Sequence, residues 1–176
     1  MPPTTQRRLP RPSYTYQNAR LFFKNFKGEA KRYNLEGQRN FCLGLEEDEA
    51  QRLKADGWNI KWLKPLEDGV PGQAVVEVKV HFGGKPPKII LISNEGKNRT
   101  TLKAETVAIM DAATFTKVDL IIVGNPRVED DGSIKYKGYL DTMYATLYEN
   151  ELDKLYAETP GDAAVDEPPF DADPPY

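Results

Sequence analysis

Between residues 73 and 82 the chain alternates between apolar and polar side chains, and this pattern constrains the fold more than any other. The alternation runs through Val76, Glu77, Val78, Lys79, Val80, His81 and Phe82. Successive side chains of a β-strand point to opposite faces of a sheet. We therefore predict a strand at 73–82 that buries one face and exposes the other.

The remaining apolar segments predict a mainly β fold. They lie between turn residues and are rich in aliphatic and aromatic side chains, at residues 21–26, 38–45, 58–64, 88–92, 118–123 and 134–148. Asp131-Gly132 predicts a tight hairpin turn before the last of them, and the polar segment 94–101 predicts a loop. Strands and helices do not alternate regularly, which favours an antiparallel, partly closed barrel over a parallel sheet.

Two or three short helices accompany the strands. Residues 46–56 begin with four acids, carry Lys54 near their end and meet Gly57, an order that suits a helix dipole and its C-terminal cap. Residues 104–112 predict a second helix with Val107 and Met110 facing inward. Residues 149–157 predict a last helical turn.

Charge divides the chain into three parts. Residues 1–17 are rich in proline and arginine and predict a flexible basic arm, followed by a domain at 18–157. Residues 158–176 hold six acids and no Lys or Arg, which leaves 24 basic and 21 acidic residues in 1–157, a net charge of +3. An acidic tail of this kind either opposes the binding of a polyanion to the body or only aids solubility. Too few apolar residues are present for the tail to fold, so we expect it to be disordered.

The inventory of reactive residues argues against an enzyme. A zinc site needs about four ligands, whereas the chain has one cysteine, Cys42, and one histidine, His81. A nuclease would need carboxylates on different strands, and only Asp119 and Asp141 lie within predicted strands. We expect no catalytic residue, metal or cofactor, with a small nuclease as a minor alternative. Without a secretory signal, a disulfide or an apolar run of ~20 residues, a cytoplasmic protein with no membrane association is expected.

Aromatic and basic side chains are interleaved on the predicted solvent faces, as single-stranded nucleic-acid binding requires. The candidate binding residues are Arg32, Tyr33, Arg39, Lys61, Trp62, Lys79, His81, Lys97, Arg99, Lys135, Lys137 and Tyr139. The alternative is that each aromatic packs in the core and each lysine only solvates a strand. Phe23, Phe41 and Phe82 are predicted core residues.

Two copies of an acid-Pro-Pro-aromatic unit end the chain, at residues 167–170 and 173–176. Prolines hold such a peptide extended, and a basic, partly apolar pocket on a partner could take its carboxylates and rings. The residues predicted to dock are Phe170, Asp171, Asp173 and Tyr176. The second hypothesis for the function of the chain is therefore a protein-interaction adaptor.

A barrel followed by an acidic tail with a terminal aromatic resembles the single-stranded DNA-binding proteins of bacteria and, more closely, of tailed bacteriophages of the T7 type. Residues 26–28, 40–43 and 56–61 of the body also look like phage-encoded DNA-binding proteins. The resemblance implies an OB-like fold and a role in phage DNA replication, recombination or repair in the host cytoplasm. It also implies that the tail recruits a polymerase or a helicase/primase and competes with DNA. Asp171, Asp173 and Tyr176 match its terminal positions, although this chain ends in Pro-Tyr, whereas the bacterial members usually end in Pro-Phe. A homodimer and binding of RNA are left open.

Overall fold

The computed structural model describes residues 9–150 except 33, 66 and 71. Two α-helices and nine strands make up this part of the chain. In order they are β1 (Ser13–Tyr16), β2 (Leu21–Asn25), β3 (Arg39–Leu45), α1 (Glu47–Asp56), β4 (Ile60–Trp62), β5 (Ala74–Val80), β6 (Lys88–Ser93), β7 (Asn98–Leu102), α2 (Ile109–Ala112), β8 (Phe115–Val128) and β9 (Ile134–Leu147). The predicted mainly β, OB-like class is confirmed.

The strands form one sheet in the order β1-β8-β9-β5-β3-β2, with β4 beside β5 and the β6-β7 hairpin beside β9. Most pairs are antiparallel, as predicted, but β5 and β6 both run parallel to β9. The sheet is therefore mixed rather than antiparallel throughout. The reason is that the chain keeps its direction through the connection 81–87, so β5 and β6 pair with successive parts of β9.

The segment between β1 and β2 partly closes the sheet into a barrel. The backbone N–H of Ala19 donates to Val118 of β8 at 2.7 Å, and the N–H of Gly44 in β3 donates to Arg20 at 2.9 Å. Residues 19 and 20 thus connect the two ends of the strand order. This confirms the predicted partly closed barrel, the arrangement by which small β domains reduce their exposed edges.

The core consists of the inward faces of the strands. Val76, Val78 and Val80 are buried in β5 while Glu77 is exposed, as the alternation predicts. In β9 the register shifts opposite Ile121 and Ile122, and Asp141 falls at this irregularity. The buried positions therefore change from even numbers before Asp141 to odd numbers after it. The helix at 46–56 is confirmed as α1, and Gly57 caps it with a φ of 111°.

Several boundaries differ from the sequence-based expectation. The predicted arm, residues 1–17, includes β1, because Tyr14 and Tyr16 pack against the core behind the proline-rich segment. The second half of the predicted loop 94–101 is strand β7, which pairs with β6, and residues 94–97 form the turn before it. The second helix is shorter than predicted, and Glu149 and Asn150 are not helical. The rest of 149–157 and the tail lie outside the described residues.

Candidate nucleic-acid interface

Strand register brings most of the predicted basic residues onto one outer surface of the sheet. Lys79 lies opposite Tyr139, and Lys135 lies opposite Arg127 in β8. Residues that oppose each other in paired strands share a face, and alternation adds further members on each strand. We call this surface the basic face, and its members are Lys61, Lys79, Arg127, Lys135, Lys137 and Tyr139.

Lys61 joins the basic face through the pairing of β4 with β5. Its Cα partner is Val75, which shares its side of β5 with Glu77 and Lys79. Lys61 is exposed, and Lys79 is half-buried with its ammonium group 3.9 Å from the carboxylate of Glu77. This ion pair is long and partly exposed, so it leaves Lys79 available to a phosphate. His81 is exposed just beyond the end of β5.

Two adjacent depressions lie beside these lysines. The larger, of about 520 Å³, is lined by Lys54, Trp58, Asn59, Arg127, Lys135 and neighbouring residues. The smaller, of about 210 Å³, includes Glu77, Lys79 and Gly138 in its lining. Asn59, Tyr136 and Lys137 line both depressions. A groove with several cations and a shared aromatic wall suits an extended polyanion that carries flat bases.

Trp58 supports this wall from behind rather than contacting solvent. Its side chain is 3% exposed, and its ring lies 5.8 Å from the ring of Tyr136 at an interplanar angle of 23°. Tyr14 contacts the same indole edge-on at 5.8 Å. The indole therefore fixes Tyr136 and is not available to stack on a base.

Cys42 lies on the same outer side of β3, opposite Glu77. Burial, with a smaller contribution from Glu77, raises the pKa of its thiol, and Lys61 opposes that change. The thiol therefore stays protonated at neutral pH, and it lies on β3 between β5 and β2.

Arg39 and Trp62 do not join the basic face. The Arg39 guanidinium donates to the carbonyls of Phe26 at 2.9 Å and Ala104 at 3.2 Å, so it ties connections together. Trp62 lies opposite Ala74 in the register, on the other side of β4 from Lys61. Its indole N–H donates to Glu47 at 2.9 Å, which lowers the pKa of that carboxyl.

The remaining predicted residues lie elsewhere. Arg32 is exposed on the connection 26–38, and Tyr33 in that connection is outside the described residues. Lys97 occupies the β6-β7 turn, whereas Arg99 belongs to β7 opposite Ile92 rather than to a loop. Phe170, Asp171, Asp173 and Tyr176 lie in the part of the tail that the structure does not describe.

Three residues that line the larger depression were not among the residues predicted from the sequence. Lys54, Asn59 and Arg127 reach the larger depression from α1, its following segment and β8. Counting back from the Asp131-Gly132 turn would have placed Arg127 opposite Lys135, because a hairpin turn sets strand register. The prediction that Phe23 belongs to the core is wrong, because its side chain is 68% exposed. The irregularity of β2 between Phe22 and Asn25 causes the difference, and the apolar pattern does not reveal it.

The described part of the chain contains neither a candidate metal site nor a helix that could cross a membrane. Among residues 9–150, apart from the three gaps, no cluster of His, Cys, Asp and Glu could hold a metal ion. Neither described helix has the length and apolar character that a membrane crossing requires.

Comparison with known proteins gives one family and several similar folds. The family model described as "Putative phage ssDNA-binding domain" matches residues 3–173. The single-stranded DNA-binding protein from bacteriophage Enc34 is similar at 13% identity and a TM-score of 0.45, over 78% of this chain and 82% of that chain. Its complex with ssDNA gives 11% identity and a TM-score of 0.47 over 78% and 88%. The single-stranded DNA-binding protein gp2.5 of bacteriophage T7 gives 9% identity and a TM-score of 0.40, over 87% of this chain and 97% of that chain. No curated protein sequence matches this chain.

Proposed function

This chain belongs to the phage single-stranded DNA-binding domain family, and from that premise we propose that its body binds single-stranded DNA across the basic face. The family that the sequence resembles is thereby confirmed. The observation that supports the location is the convergence of Lys61, Lys79, Arg127, Lys135 and Lys137 from four strands. In the sequence these residues are separated by up to 76 positions, and only strand pairing makes them one surface.

Two physical effects would provide the affinity. Each phosphate neutralised by a lysine or arginine releases a condensed counterion, which makes binding fall steeply with salt. Aromatic rings add stacking of about 1–3 kcal/mol per base with little sequence preference. Tyr139 belongs to the basic face and Tyr136 lines both depressions, and both side chains are half-buried. Arg32, Lys97 and Arg99 remain proposed contacts at the rims of the sheet, and Tyr33 remains a proposed contact outside the described residues.

The tail has a separate proposed role. Its six acids compete with DNA phosphates for the basic face, and Phe170, Asp171, Asp173 and Tyr176 dock on replication proteins such as a polymerase or a helicase/primase. The supports are the charge split between tail and body and the two acid-Pro-Pro-aromatic units. The protein would then act in phage DNA replication, recombination or repair, without enzymatic activity of its own, in the cytoplasm of the host cell. Homodimer formation is a further proposal, which sedimentation would test.

The direct test is a titration of the full-length protein with oligo-dT at low and moderate salt. We expect low-micromolar or tighter binding at low salt that weakens as salt rises. Failure to bind a single strand at low salt would overturn the proposal. Equal affinity for duplex DNA of the same length would contradict the single-strand preference.

A further inference from the structure

Phe23 adopts a backbone conformation that bulky residues rarely tolerate. Its φ is +52°, in the left-handed region, although it lies within strand β2. Its side chain is 68% exposed. A left-handed bulky residue is a genuine outlier, and such strain persists only where the surroundings impose it, often at ligand contacts. Phe23 therefore has both a strained backbone and an exposed aromatic ring, and each of them is unfavourable for the folded state.

The residues on both sides hold this conformation in place. Phe22 pairs with Cys42 and Asn25 pairs with Asn40, so β2 carries one more residue than β3 between these pairs. Asn25 is 4% exposed, and its side-chain oxygen accepts the N–H groups of Gly28 and Glu29. The Lys24 ammonium donates to Met110 and Ala113 at 2.9 and 2.8 Å. A bulge anchored in this way redirects a side chain, and here it displays Phe23 to solvent.

The surroundings of Phe23 are aromatic and basic. Phe22 and Lys24, its two neighbours, line a cleft of about 540 Å³ together with Arg20 and Phe115. In the sheet, β2 follows β3, β5 and β9, so three strand spacings of ~4.8 Å place it about 14 Å from β9. A single strand that leaves the basic face across β5 and β3 therefore arrives at β2.

We propose that Phe23 is a base-stacking residue for single-stranded DNA, displayed by the strained bulge of β2. The proposal rests on the proposed function and extends the DNA path from the lysines of β9 to the edge at β2. An exposed ring offers its face to any base, which matches a contact without sequence preference. Selection for this contact explains why a strained, exposed phenylalanine occupies a position where glycine would fit without strain.

The test compares four variants of the full-length protein in oligo-dT titrations and thermal unfolding. Phe23→Ala and Phe23→Leu should weaken binding by about 5- to 150-fold, the loss of one stacked base, whereas Phe23→Tyr should keep the wild-type affinity. Phe23→Gly should bind as weakly as Phe23→Ala. Its melting temperature should nevertheless be about 2–4 °C above that of the wild type, because glycine relieves the positive φ. Val70→Ala is the matched control, since Val70 is 50% exposed in the β4-β5 connection.

The outcomes separate this inference from the proposed function. If the wild type binds oligo-dT and Phe23→Ala binds equally well, the inference is overturned and the proposed function stands. If the wild type binds no single strand, the proposed function fails first. Equal losses for the tyrosine and alanine variants would overturn stacking. A lower melting temperature for Phe23→Gly would show that the ring is packed, which contradicts its display.

Discussion

Gly124 and Gly138 oppose each other across β8 and β9, and the indole of Trp58 lies in the space that their missing side chains leave. A Cβ at Gly124 would lie 2.6 Å from the Trp58 ring, and one at Gly138 would lie 3.1 Å from it. The same indole stacks on Tyr136, which lines both depressions of the basic face. This glycine pair therefore couples packing of the barrel to the shape of the candidate interface.

Gly124→Ala should destabilise the domain, because a Cβ 2.6 Å from the indole also meets Pro12 at 3.1 Å. Overpacking of this kind costs about 1–3 kcal/mol, measured as a lower unfolding free energy in urea. Gly83→Ala is the control, since the three atoms nearest to its Cβ would all belong to the exposed imidazole of His81, which can move. Equal stability of Gly124→Ala and wild type would show that the slot is not closely packed.

Arg39→Ala should reduce stability rather than the number of DNA contacts. The substitution leaves the carbonyls of Phe26 and Ala104 without their guanidinium donor, at a cost of about 1–3 kcal/mol in unfolding free energy. Arg127→Ala is the matched variant, because Arg127 is exposed on the basic face. It should lose affinity for oligo-dT and change stability by less than ~0.5 kcal/mol. If Arg39→Ala lost affinity without losing stability, and Arg127→Ala lost stability without losing affinity, both assignments would be wrong.

The reactivity of Cys42 should report on both its pKa and the bound DNA. Because burial raises the thiol pKa in the folded state, a smaller fraction is thiolate at pH 8 than in the unfolded chain. A chromogenic disulfide reagent should therefore react more slowly with folded protein, and the rate should increase as pH rises further. Oligo-dT should slow the reaction again by covering the face that Cys42 shares with Lys61. An unchanged rate with saturating DNA would place the strand elsewhere.

Removal of residues 158–176 should tighten binding to oligo-dT, because six acids no longer compete with phosphate for the basic face. The effect should shrink as salt screens the charges. A full-length variant with those acids replaced by Asn and Gln keeps the tail length and should behave like the truncation. Unchanged or weaker binding by the truncated protein would contradict the competition.

Local patterns in the sequence predict the elements well, and long-range pairing accounts for what they miss. The alternation at 73–82, the acids and glycine of α1 and the Asp131-Gly132 turn each act within a few residues, and the structure confirms them. The parallel pairing of β5 and β6 with β9 depends on residues about 60 positions apart, which no local pattern contains. Composition also led to a wrong prediction. The prolines before Tyr14 predicted a flexible arm, whereas β1 in this segment pairs with β8.

In the candidate site, too, local patterns predict which residues share a face within one strand, and long-range pairing decides which strands come together. Alternation predicted that Lys79 shares a face with His81, and that Lys135 and Lys137 share one with Tyr139, but only the Lys79–Tyr139 register unites the two sets. Arg39 and Trp62 looked equivalent to these lysines in sequence. Side-chain hydrogen bonds to Phe26 and Glu47 commit them to structural contacts.

Binding of DNA across the basic face depends on phosphate neutralisation, and the salt dependence of oligo-dT binding measures this neutralisation most directly. Lys135→Ala/Lys137→Ala should weaken binding and lower the slope of log K against log salt by about 1.4, since each contact with a single strand contributes about 0.7. Lys103→Ala is the control, because Lys103 is exposed after β7 and outside the basic face. Its slope should equal that of the wild type. A double variant with the wild-type slope and affinity would contradict DNA binding across the basic face.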